Sequence, residues 1–167
     1  MRMLTRWTLL ATVMVSCVGC DQVAKTVASR VLRDRPPVRL LGNAIEFVYA
    51  ENLGGFLSVG ANLPRPVRAT VFVALTMLAI AGLMVLAFVG RSITVLHLLG
   101  IALFAAGGLG NLVDRIALGS TRDFLLLRAG PLHTGVFNLA DAAILAGLGA
   151  LLVAQVKRRR SDPVATR

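Results

Sequence analysis

Apolar residues in this chain gather into four long blocks, each bounded by charged or helix-breaking residues. About 20 apolar residues in helical conformation cross the hydrocarbon core of a bilayer. The blocks therefore predict transmembrane helices over 7–28, 69–90, 92–113 and 136–156. Pro36-Pro37 lie beyond the first block, and proline both lacks an amide donor and disfavours helix before it. The second block has no charge, and Arg91 separates it from the third, so these two helices form an antiparallel hairpin. Lys157-Arg158-Arg159-Arg160 closes the fourth. Two polar connections remain, 29–68 and 114–135. In the first, 38–41 and 44–49 read as short strands, the latter rich in strand-favouring types. The second is predicted as a loop that returns along the membrane surface. The expected fold class is an α-helical polytopic membrane protein with four transmembrane helices, organised as a single domain over 1–160 with a short cytoplasmic tail, 161–167.

Composition agrees with this pattern: 56% of residues are hydrophobic and the mean hydropathy is +0.77, against about 45–50% apolar in soluble domains. The net charge of +10 does not indicate nucleic acid, because the single Trp and single Tyr are not interleaved with basic residues and the arginines flank apolar spans. Basic residues at span ends set orientation and meet anionic headgroups. Four spans place both termini on one side, and Arg2, Arg6 and the terminal basic cluster assign that side to the cytoplasm. Cys17 and Cys20 form a C-x-x-C pair with no His or further Cys nearby, and are read as small helix residues. Val18-Gly19-Cys20 resembles the cleavage box of a bacterial lipoprotein. Cys17 occupies a position where a leucine-like residue is usual, however, and three further spans follow, so 7–28 is read as a retained helix.

Of the eight carboxylates in the sequence, Asp114, Asp123 and Asp141 lie inside or beside membrane-compatible stretches, where ionisable groups are costly and are functional candidates. Asp21 and Lys25 stand i, i+4 on the first helix in the favourable order for an ion pair. They serve either as an interfacial anchor, with Lys25 snorkelling to the headgroups, or as a prop for a polar site. Asn111, Asp114 and Arg115 share a helix face, and Asp114 is expected to pair with Arg115 or another arginine. Asn138 and Asp141 have the spacing of a helix cap and its capping-box acid. Asp123 has no such structural explanation. Two carboxylates brought together in a desolvated site share a proton, so that one can activate water while the other donates. Such a dyad needs no metal or other cofactor. A carboxylate site for Mg or Ca is the competing use of these acids, with His133 as the nearby histidine. His97 lacks an acidic neighbour and is read as buried or interfacial.

Taken together, Asp21-x3-Lys25, Asn52-x-Gly54, Gly108-x-Gly110-Asn111-x-x-Asp114-Arg115, Gly119 with Asp123-Phe124, and Asn138-x-Ala140-Asp141 resemble the successive motifs of the signal peptidase II family. The resemblance implies four transmembrane helices, a small extracytoplasmic β-structure and an aspartyl dyad near the outer leaflet of the bacterial cytoplasmic (inner) membrane. It implies an endopeptidase that cleaves just before a diacylglyceryl-modified cysteine, with lipid-modified prolipoprotein signal peptides and membrane lipids as partners, acting as a monomer. Carried over by motif, the dyad is Asp123 and Asp141. Asn52, Gly54, Asn111, Arg115 and Asn138 line the site or meet substrate, and Asp21, Lys25 and Asp114 are structural. Two departures stand out. Gly55-Phe56-Leu57 places Phe one position early, and Thr121-Arg122 replaces the usual aliphatic residues before the Asp-Phe pair. The alternative is a non-catalytic membrane protein, lipid-binding or proton-coupled, with the acids as a relay.

Overall fold

The computed structural model describes residues 3–54, 62, 64–90 and 93–161. Four helices, α1 (Met3–Val31), α2 (Arg65–Val89), α3 (Val95–Leu118) and α4 (Leu139–Ser161), are each long and apolar enough to cross a membrane. The strands are β1 (Val38–Leu40), β2 (Ile45–Asn52), β3 (Thr121–Ala129) and β4 (Leu132–His133), joined in the order β1-β2-β3-β4 with every pairing antiparallel.

α3 is the central helix and packs against the other three. Lipid tails are as apolar as leucine, so helices gain little hydrophobic energy by associating in a bilayer and depend on close backbone approach at small residues. The α3–α4 contact has that character. A Cβ on Gly147 would lie 2.6 Å from the backbone nitrogen of Phe104, and one on Gly100 would lie 2.9 Å from the carbonyl of Gly147. Gly110 plays the same part towards α1, since a Cβ there would lie 2.7 Å from Asp21 Oδ2.

The helix ends differ from those expected. α1 overruns 7–28 at both ends. α2 begins at Arg65 with Pro66 in its first turn, where proline's missing amide costs nothing. α3 starts at Val95, not at 92, because Thr94 caps it and His97 completes a reciprocal box with the Thr94 backbone. His97 is therefore a capping residue. α4 begins at Leu139, not at 136.

The larger correction concerns 114–135. Asp114 and Arg115 belong to α3, which runs on to Leu118 and ends on Gly119 in the left-handed conformation (φ 78°). β3 follows, so nine residues of the expected loop form the longest strand of the sheet. Its partner β2 lies far away in sequence, with Ala50 opposite Asp123, Asn52 opposite Thr121 and a register shift between Phe47 and Ala50. The backbone of Phe137 pairs with Leu125, so the residue before Asn138 is tied to β3. That link brings the entry to α4 beside the strand bearing Asp123.

Gly147→Val should lower stability by about 1–3 kcal/mol through overpacking of the α3–α4 contact. Gly149→Ala, where a Cβ meets nothing within 4 Å, should not destabilise. Thermal unfolding of the two variants in detergent checks the pair.

Candidate active site

The first turn of α4 needs partners for its free amides, and three side chains supply them. Asn138 Oδ1 accepts from the amide of Asp141 (2.9 Å), while Asp141 Oδ2 accepts from the amide of Asn138 (3.2 Å). The capping geometry anticipated from spacing is thus present. The amide of Ala140 is bound by Asp21 Oδ1, reaching across from α1 (2.9 Å).

The cap leaves the Asn138 amide nitrogen available, and it donates to Asp123 Oδ1 (2.6 Å) and Asn111 Oδ1 (3.1 Å). Asn111 Oδ1 also accepts from Lys25 Nζ (2.9 Å). With its oxygen held by two donors, the Asn111 amide turns its nitrogen to Asp141 Oδ1 (2.8 Å). Asp123 and Asp141 are therefore linked by one shared asparagine, Asn138, and by a second route through Asn111. Cap and dyad are not rival explanations of Asp141, because one carboxylate takes part in both.

Asp123 is 1% exposed. Burial pushes its carboxyl up to about 6, with the charge of Asp141 adding to the rise; hydrogen bonds from Asn138 and Asn52 and the charge of Lys25 act in the opposite sense. Asn52 Oδ1 meanwhile accepts from the amide of Gly54 (2.9 Å). Arg115 donates to the carbonyl of Gly54 (3.0 Å) and lies over the ring of Phe72 at 5.3 Å.

Beneath these residues lies a buried ion cluster. Lys25 Nζ is 2.8 Å from Asp21 and 3.4 Å from Asp114, and its side chain is 0% exposed. The interfacial-anchor reading of Lys25 is thereby replaced: it does not snorkel but supports the site. Asp114 does not pair with Arg115, because successive residues on a helix point about 100° apart. Its partner is Arg122, at 2.7 Å from Oδ1 and 3.2 Å from Oδ2.

Two cavities meet at this point. One of about 500 Å³ is bounded on the sheet side and includes Asn52, Thr121, Asp123 and Phe137 in its lining. The other, about 270 Å³, lies among helices α2, α3 and α4 and includes Phe72, Thr76, Asn111 and Ile144. Arg115, Asp141 and Leu145 line both. The structure thus gathers Asn52, Gly54, Asn111, Arg115, Asp123, Asn138 and Asp141 into one region. Gly55-Phe56-Leu57 lie outside the described residues. His133 sits on β4 with Nδ1 against its neighbour's carbonyl (2.8 Å), and no group of three potential metal ligands occurs among the described residues. Gln22 and Arg122 were not anticipated. Gln22 donates to the carbonyl of Gly110 (2.9 Å). A polar residue between Asp21 and Lys25 was the available signal.

The family described as signal peptidase (SPase) II matches residues 13–157. The lipoprotein signal peptidase of Syntrophotalea carbinolica is 31% identical over 152 residues, covering 91% of this chain and 93% of that protein. That of Beijerinckia indica is 35% identical over 142 residues, covering 82% and 81%. A solved bacterial membrane enzyme superposes with a TM-score of 0.81 at 20% identity, covering 95% of this chain and 91% of the other, which speaks to the fold.

Lys25→Met should cost about 3–5 kcal/mol, since it leaves buried acids without their cation; chemical unfolding of the purified protein measures it. A second expectation follows from Asp123. Its carboxyl is raised in the folded protein from 3.8 to about 6, so the native state binds more protons than the unfolded state between these values. Its contribution is fully present below pH 3.8 and is lost as pH rises through 6. Stability should fall over that window, and Asp123→Asn should flatten the fall in pH-dependent melting curves.

Proposed function

We propose, for a chain that belongs to the signal peptidase II family, that Asp123 and Asp141 form the aspartyl dyad of an intramembrane endopeptidase. The protein removes signal peptides from prolipoproteins, cutting just before the lipidated cysteine, and is a multi-pass protein of the bacterial inner membrane. The observation that carries the dyad is the sharing of Asn138 by both carboxylates at the junction of the two cavities.

The chemistry follows from that arrangement. Asp123, whose carboxyl is raised to about 6, carries the shared proton, and substrate covering the site holds that proton more firmly by excluding water. Asp141 takes a proton from water as its oxygen attacks the scissile carbonyl carbon. Asp123 passes its proton to the carbonyl oxygen, giving a neutral gem-diol. As the C–N bond breaks, Asp141 returns its proton to the leaving amine nitrogen and one gem-diol hydroxyl reprotonates Asp123. Asn138 and Asn111 keep the carboxylates in place throughout, which lowers the reorganisation needed at the transition state.

The two cavities divide the substrate between them. The sheet-side cavity, with Asn52 at the end of β2, takes the peptide. The smaller cavity among the helices, with Phe72, Ile144 and Leu145 in its wall, takes the lipid, which sets the modified cysteine at Arg115 and Asp141. We read the enzyme as a monomer. We read both termini as cytoplasmic, on the basic residues Arg2, Arg6 and Lys157 to Arg160 at the span ends, with the sheet and the site at the outer face. A carrier has no comparable support, because Asp141 sits in the first turn of α4 and Asp114 one turn from the end of α3, not along the spans.

Asp123→Asn and Asp141→Asn should each lower turnover at least about 100-fold while the protein remains folded. The assay is processing of a diacylglyceryl-modified precursor peptide by purified enzyme. Wild-type turnover in either variant would remove the dyad.

A further inference from the structure

We propose that Arg122 is a positioning residue: by gripping Asp114 on α3 and Gln22 on α1, it holds the strand that carries Asp123 in register with Asn138 and Asp141. The inference rests on the dyad reading above and extends it to a residue that the family motifs do not include.

The grip is made by both backbone and side chain. The amide of Arg122 donates to Asp114 Oδ2 (3.0 Å), its Nε donates to the same oxygen (3.2 Å), and Nη2 donates to Asp114 Oδ1 (2.7 Å). Nη2 also reaches Gln22 Oε1 (3.0 Å). A guanidinium fork on a carboxylate fixes direction as well as distance. The carboxylate is 0% exposed and the Arg122 side chain 15%, so water competes weakly for either partner.

Arg122 also completes a charge balance. Asp21, Lys25 and Asp114 together carry one net negative charge, and Arg122 brings the buried cluster to neutrality. An aliphatic side chain at 122 would leave that charge uncompensated beneath the two acids, where low dielectric makes it costly.

The mechanical consequence reaches the next residue. Side chains alternate along a strand, so with Arg122 turned to Asp114, Asp123 faces the Asn138 side. Only Gly119 and Ser120 separate β3 from α3. The Arg122–Asp114 bonds therefore fix where the strand starts relative to the helix that carries Asn111. A shift of the backbone at 122 moves the carboxylate at 123 by a similar amount, and a displacement of about 1 Å at reacting groups can cost about 100-fold in rate. Arg122 lines neither cavity, so its loss should act on turnover and not on substrate binding.

The test compares wild type, Arg122→Leu, Arg122→Lys and Asp123→Asn as purified full chains, on a diacylglyceryl-modified precursor peptide, with thermal unfolding recorded for each. Arg122→Leu is expected to lose about 10- to 100-fold in kcat with KM within about twofold, at temperatures where it is folded. Arg122→Lys, which keeps the charge without the fork, should fall between Arg122→Leu and wild type. Wild-type kcat in Arg122→Leu overturns the proposal. So does a loss that matches the unfolded fraction, which would make Arg122 only a brace, or a rise in KM at constant kcat, which would make it a substrate contact. If Arg122→Leu does not fold, wild-type kcat in Arg122→Lys overturns it. A folded wild type that processes nothing, or an active Asp123→Asn, defeats the dyad reading itself and this proposal with it; normal wild type and inactive Asp123→Asn beside an unaffected Arg122→Leu defeat this proposal alone.

Discussion

An ammonium group buried among membrane helices is tolerable only if its charge is matched and its protons are bound. Lys25 meets that demand with Asp21, Asp114, Asn111 and the carbonyl of Gly110. Each partner then ties down a different part of the protein. Asp21 binds the amide of Ala140 and so fixes the start of α4 against α1. Gly110 lets α3 come close enough for this, because a side chain there would collide with Asp21. Asp114 passes the constraint through Arg122 to β3. Three helices and a strand are thus aligned by one ion cluster, in a setting where apolar contact alone specifies little about relative position.

The same cluster reaches the proposed catalytic pair through asparagines. An amide side chain has distinct donor and acceptor ends, and Lys25 occupies the acceptor end of Asn111, leaving the donor for Asp141. Asn138 uses its oxygen to cap α4 and its nitrogen to bind Asp123. The cap that terminates a transmembrane helix also sets the spacing of two acids. Stability and chemistry are coupled here, since loosening the cap loosens the pair.

Legibility in the sequence followed the range of the interactions involved. The four apolar blocks, the ion pair four residues apart on α1, and the three-residue spacing of Asn138 and Asp141 are local patterns, and each was visible before the fold. β3 was not, because its pairing with β2 is non-local and its apolar residues 125–127 suit a surface loop as well as a half-buried strand. Asp114 was expected to pair with Arg115 or another arginine; helix geometry turns the adjacent Arg115 away, and only the fold identified the other arginine as Arg122. Arg122 was visible only as an odd residue where an aliphatic one is usual. Lys25 was compatible with an interfacial anchor until its burial was known.

The sequence by itself determined the membrane-spanning architecture, the candidate acids and the family motifs, because apolar length, helical periodicity and residue spacing are properties of short segments. The tertiary structure decided which charges neutralise which, that the capping acid and the strand acid share one asparagine, and that both line one cavity. These are questions of direction and distance between segments up to 119 residues apart, as with Asp21 and Ala140. In a low-dielectric interior a hydrogen bond or ion pair depends on such geometry to within fractions of an ångström, and no local pattern in the chain specifies it.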